Sequence, residues 1–161
     1  MKLSIGALPL VQRIVKLVRA FRVERLIQRA RTLMVVGRYE SALRSFKEAS
    51  RFNISFIPRD ILLFSHCLSV LGKPSQAYTT SEIVEDTLLE DARRYNSDEV
   101  KYMIAYGRII RNQAVEESEE LNFPRLEVDY SSIDLDEISD DLLATFPLIF
   151  HPDWEDKGWK G

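Results

Sequence analysis

Residues 30–49 read ARTLMVVGRYESALRSFKEA. Tyr39, Ala42, Leu43, Phe46 and Ala49 recur at three- and four-residue spacing, the period of a helix that buries one face. Ala30 and Leu33 continue that period on the other side of Gly37. Glycine enters the left-handed backbone region without a Cβ clash and so closes a helix as its C′ residue. The stretch therefore predicts two helices joined by a tight turn.

Upstream, no helix breaker occurs between Pro9 and Val36, so the apolar face is expected to continue as one long helix or two abutting ones. Leu8, Leu10, Val11, Ile14, Val15, Leu17, Val18 and Phe21 gather on one broad side, and Arg13, Lys16, Arg19 and Arg22 are assigned to the other. The first acidic residue is Glu24. This helix is expected to pack on the domain behind it. Two further readings stand beside that one: a basic amphipathic helix on an anionic membrane surface, and an acid-poor mitochondrial address.

Downstream, Asn53 to Pro58 reads as a loop. Pro58 opens a third helix, where its missing N–H costs nothing, and Gly72 stops it. Pro74 opens a fourth helix with Ala77, Tyr78, Ile83, Val84 and Leu88. Ser97 is the expected N-cap of a fifth, with Asp98 and Glu99 in its first turn. Ile138, Leu142 and Leu143 predict a short helix ending near Pro147. No convincing period-2 alternation appears, so the expected class is all-α.

Leu33 and Leu68, Gly37 and Gly72, and Ala42 and Ala77 are each 35 residues apart. A repeated helix pair near 34 residues is the period of tetratricopeptide arrays. The pattern Ala30, Leu33, Gly37, Tyr39, Ala42, Phe46, Ala49 resembles the tetratricopeptide repeat. In the second copy Ser65, Leu68, Gly72 and Ala77 fit, while Pro74 and Ser81 stand where aromatics are expected. The family's closing proline is absent at Ile54. The resemblance runs from about Val23 to Asp91, with Ala105 marking a partial third unit. It implies about two and a half antiparallel helix-pair repeats with a peptide-binding groove. Carried over by position, the groove would present Glu24, Ile27, Arg31, Met34 and Val35 from the first pair. The second would present Arg59, Leu62, His66, Ser69 and Val70. Arg31 and Arg59 would clamp a carboxylate or an acidic peptide.

The chain has 161 residues, 45% hydrophobic and 29% charged, the size and balance of a folded domain rather than a disordered chain. Its net charge of -3 conceals a gradient. Residues 1–51 hold 12 basic and 3 acidic side chains, and residues 112–161 hold 3 and 14. The expected organisation is a helical domain over 1–121 followed by an acidic-aromatic arm over 122–161. In that arm Trp154 and Trp159 are candidate partner anchors. Large apolar residues interleaved with its carboxylates predict that the arm docks, in cis or in trans.

One cysteine, Cys67, and two histidines, His66 and His151, supply no disulfide and no metal-ligand set. His66 and Cys67 project about 100° apart on a helix. The His151-Pro152-Asp153 tripeptide lacks the basic helix before it that cochaperone J-domains carry. Asn53-Ile54-Ser55 is a glycosylation sequon without a secretory signal. No phosphate-binding glycine loop, nucleophile–base pair or singled-out carboxylate pair appears. No catalytic residue, metal or cofactor is expected. The expected role is that of a cytoplasmic, non-enzymatic adaptor or assembly subunit. Its partner would be an acidic or C-terminal segment in the groove, or a basic surface met by the arm. An inhibitor such as a toxin-immunity protein, whose acidic arm covers a basic site, is the alternative from another class. Self-association fits the opposed charges of the two ends. Nucleic acid is disfavoured, because the basic face lacks interleaved aromatics and the acidic arm opposes it.

Overall fold

A computed structural model describes residues 8–146, and of Leu8 the backbone alone. Trp154, Trp159 and His151 lie outside the described residues. Six α-helices follow in order: α1 Leu8–Val35, α2 Tyr39–Ser50, α3 Pro58–Val70, α4 Pro74–Tyr95, α5 Asp98–Glu117 and α6 Asp140–Thr145. A 3₁₀ turn over Leu135–Glu137 precedes α6. Among the described residues there is no strand, and the fold is all-α. None of the described helices is long and apolar enough to cross a membrane.

The turns follow from local chemistry. Gly37 and Gly72 adopt φ of +75° and +65°. Each then donates its N–H to the carbonyl three residues back, Met34 and Ser69. The next residues, Arg38 and Lys73, donate to Leu33 and Leu68. This hydrogen-bond pair is the Schellman closure, and it recurs at a 35-residue interval. Pro58 and Pro74 occupy first-turn positions as their chemistry favours. Ser97 takes the N-cap place of α5 with extended backbone, yet its side chain makes no cap hydrogen bond. Ser139 does cap α6, accepting from the Leu142 N–H at 3.3 Å.

The chain divides into two compact units, one ending at Ser55 and the other beginning at Phe56. The division lies in the connection between α2 and α3, whereas the sequence reading puts one at Leu121–Asn122. Beyond Leu121 the chain buries Ile133, Ile138, Leu142 and Phe146, and its contacts with α4 and α5 make it part of the second unit.

In the first unit α1 pairs with α2. Ala30, Ala42, Phe46 and Ala49 are fully buried. Alanines at the crossing let two helix backbones approach, and Phe46 fills the space beside them. Twenty-eight residues of α1 run for ~42 Å and twelve of α2 for ~18 Å at 1.5 Å per residue. The far end of α2 is marked by Arg22, whose guanidinium lies 5.2 Å from the centre of the Phe52 ring. Residues of α1 before Arg22 run past that end.

The expectation of one continuous apolar face along α1 is corrected here. The helix is continuous, but its buried residues are Val23, Leu26, Ile27, Ala30 and Met34. At 100° per residue their face lies roughly 150° around the axis from the centre of the Leu10–Phe21 face. The two halves are amphipathic on nearly opposite sides. The first half is exposed from Pro9 to Arg22, so it does not pack on the domain as expected.

In the second unit α4 packs on both α3 and α5. Ser65 Oγ donates to the Ala77 carbonyl at 2.7 Å, tying α3 to α4. Ser81 Oγ donates to the Gly107 carbonyl at 2.9 Å, tying α4 to α5. Gly107 is required by space: an added Cβ would lie 2.9 Å from Ser81 Oγ and 3.3 Å from Leu62 Cδ1.

Candidate functional site

Arg59, Leu62 and His66 stand at i, i+3 and i+7 on α3 and therefore share a face. Leu62 and His66 are buried. His66 Nδ1 is 3.1 Å from the Tyr106 hydroxyl on α5. The Tyr106 ring packs against Phe146, with centroids 4.8 Å apart. The Tyr102 hydroxyl donates to the Phe146 carbonyl. Arg59 Nη2 donates to Asp141 Oδ2 and to Thr145 Oγ1, each at 2.7 Å. The three predicted α3 residues are thus brought together, around an acidic helical turn of the same chain. Burial pushes the Tyr102 phenol above its ordinary range.

The segment leading to α6 is held by a series of polar contacts along α4 and α5. Asn112 pairs with both backbone groups of Leu126, donating to its carbonyl at 2.9 Å and accepting from its N–H at 2.7 Å. Arg108 Nη1 donates to the Glu127 carbonyl at 3.0 Å. Lys101 Nζ donates to the Ser132 carbonyl at 3.4 Å. Phe123 stacks on Tyr78 with centroids 4.8 Å apart.

Beneath this segment lies an ion cluster. Glu85 of α4 receives Arg108 Nε at 2.6 Å, and its other oxygen receives Arg111 Nη2. Burial opposes charge on Glu85, but hydrogen bonds from Arg108 and Arg111 outweigh it and hold the carboxyl below the ordinary range. The Arg111 guanidinium is buried and lies 5.9 Å from the Tyr78 ring centre. Glu99 accepts from the Ser139 N–H at 3.0 Å, and hydrogen bonding to Ser139 lowers its titration as well.

Ile27, Arg31 and Met34, the row predicted for the first pair, belong to the other compact unit. Ile27 and Met34 are buried and Arg31 is half-buried. Val35 is exposed. Ile27, Met34, Leu62 and His66 therefore serve as packing residues in this structure, because the helix faces that carry them are the faces that dock. His66 and the neighbouring Cys67 are both buried. Among the described residues, no group of three or more His, Cys, Asp or Glu could hold a metal ion.

The surface left open is the first half of α1. Leu10, Val11, Ile14, Val15, Leu17, Val18 and Phe21 are all exposed, Leu17 at 69% and Phe21 at 67%. At 100° per residue these seven span roughly 160° of the helix circumference. Arg19 flanks one edge beside Val15, Arg13 flanks the other beside Leu17, and Lys16 lies between them on the polar side. Arg22, expected on that polar side, has an angular position within the apolar arc. It turns to Phe52 and reaches Glu48 at 3.8 Å. A contiguous apolar patch of this kind on a folded chain marks a place where something docks.

Sequence reading missed Asp141, Thr145 and Phe146 as the groups that meet α3, and Glu85, Arg108 and Arg111 as a cluster. The Tyr102–Tyr106 spacing of four residues was a usable sign of a shared buried face. The pairing of Arg59 with a residue 82 positions later had no local sign. No protein-family model matches the chain, and neither a curated protein nor a solved structure does.

Proposed function

We propose that the protein is a non-enzymatic adaptor or assembly subunit that docks on another surface, of protein or of lipid, through the first half of α1. One observation carries this reading: seven large apolar side chains between Leu10 and Phe21 stand exposed on one side of a single helix. Burying such a face gains roughly 25 cal/mol for each Å² removed from water, so an occupant stabilises it. The remainder of the chain serves as a tetratricopeptide-like scaffold. The α1–α2 and α3–α4 pairs and their matching glycine turns support that description.

The groove expected to recognise a partner has less open surface to offer. Leu62 and His66 are buried, and Arg59 is engaged by Asp141. Asp129 accepts from the Ser131 and Ser132 N–H groups of its own turn and stays exposed.

A photo-reactive amino acid at Leu17 of the full chain, expressed in source cells, tests the docking role. The expected result is an adduct, to protein or to lipid, that is absent when the same group replaces the exposed Ile83 of α4. Equal labelling from both positions, or none from Leu17, would overturn the reading.

A further inference from the structure

We propose that the occupant of the α1 face is an anionic lipid surface, with the helix lying in the plane of the headgroup–acyl boundary. The inference rests on the docking role just described and names its partner.

The breadth of the apolar arc argues first. A partner helix in a two-stranded coil covers a narrow seam, which here would be Leu10, Ile14, Leu17 and Phe21. Val11, Val15 and Val18 lie outside that seam and are exposed as well. A planar boundary covers a full half-cylinder, which matches an arc of roughly 160°.

Charge argues second. Glu24 is the first acidic residue of the chain, so α1 carries only basic side chains before it. Arg13 and Arg19 border the apolar arc, where their stems can lie along hydrocarbon while the guanidinium groups rise to lipid phosphates. Lys16 completes a polar side of one sign. A second copy of this helix would oppose the same cations. A nucleic acid would engage the basic side and leave the apolar arc in water. An anionic membrane satisfies both sides at once.

Geometry argues third. The face that docks on the protein lies on nearly the opposite side of α1, so the exposed arc is not a frayed edge of the core. Arg22, the first cation to enter the angular range of the arc, reaches toward Phe52 and Glu48, and Arg25 and Arg29 follow it only beyond Phe21. Between Leu10 and Phe21 no charged residue falls within the arc.

The test is sedimentation of the full chain with vesicles of phosphatidylcholine containing about one third phosphatidylglycerol, and with vesicles of phosphatidylcholine alone. The expected result is binding to the anionic vesicles only, lost on raising the salt. Neutralising Arg13, Lys16 and Arg19 to Gln together should weaken binding on the order of a hundredfold. Leu17→Asp with Phe21→Asp should abolish it, and Ile83→Asp should leave it unchanged. All these side chains are exposed, so an unchanged thermal melt keeps each loss attributable to docking rather than to unfolding. Equal binding to both vesicles, or no binding to the anionic ones, overturns the lipid assignment. In the latter case a protein adduct from the Leu17 photo-probe leaves the docking role standing, and no adduct ends both.

Discussion

Arg59 Nη2 stands 2.7 Å from Asp141 Oδ2, joining the first turn of α3 to the first turn of α6. Asp141 is 78% exposed, so solvent screens the pair and its worth is at most ~1 kcal/mol. Phe146, five residues on, is fully buried against Tyr106. Truncating such a ring costs about 3–5 kcal/mol. Phe146→Ala should therefore lower stability several-fold more than Arg59→Ala in chemical unfolding. Added salt should shrink the Arg59 effect and leave the Phe146 effect unchanged. A larger loss from Arg59→Ala would mean that charge, not the aromatic contact, holds α6 in place.

Gly107 gives a packing prediction with two opposed terms. Alanine is favoured over glycine in a helix by about 1 kcal/mol. Its Cβ would meet Ser81 Oγ at 2.9 Å and Leu62 Cδ1 at 3.3 Å in a fully packed crossing. Overpacking costs about 1–3 kcal/mol, so Gly107→Ala should be net destabilising. Ser81→Ala removes the nearer obstacle. The double variant should therefore lose less than the sum of the two single changes in a thermodynamic cycle.

Glu85 and Glu99 set a pH dependence. Both are held below their ordinary value of 4.5 in the folded chain. Their stabilisation is present above that value, and it is lost as pH falls below it through the folded-state titration. Unfolding monitored by circular dichroism should show stability level near neutral pH and falling below pH 4.5. Glu85→Gln should be less stable at neutral pH and should flatten that fall. An unchanged slope would remove the Arg108–Arg111 cluster from the account.

The two left-handed glycines offer a matched pair. Neither Gly37 nor Gly72 has a neighbour within 4 Å of an added Cβ, so substitution tests backbone conformation alone. Gly37→Ala and Gly72→Ala should each cost ~1–2 kcal/mol, and the two costs should agree closely. Asn, which tolerates this region better, should cost less at both. Asn96 already ends α4 with φ of +45°.

Local chemistry made much of the helical order legible. Gly37, Gly72, Pro58 and Pro74 act within a turn of where they stand, so their reading needed no knowledge of the fold. The period of α1 was equally plain, but its phase was not. Leu10–Phe21 and Val23–Met34 each fit a helix, and only tracking the angle across Arg22 shows that their faces differ. The position of Arg59 on α3 predicts a carboxylate clamp, but its partner lies 82 residues away, beyond any periodic signal. Ile27, Met34, Leu62 and His66 illustrate a different difficulty. Apolar periodicity reports the side of a helix that avoids water, and it reads the same for a core as for a groove.

The change of side within α1 imposes a constraint of length rather than of residue type. The two apolar faces are set apart by the number of residues between them, since hydrogen bonding fixes each step at 100°. Substitutions around Arg22 leave that angle untouched. A single inserted or deleted residue between Phe21 and Val23 turns one face by about 100° relative to the other. The helix thus behaves as a keyed shaft. Whatever surface holds Leu17 and Phe21 also dictates the rotational setting of Ala30 and, through the alanine crossing, of α2.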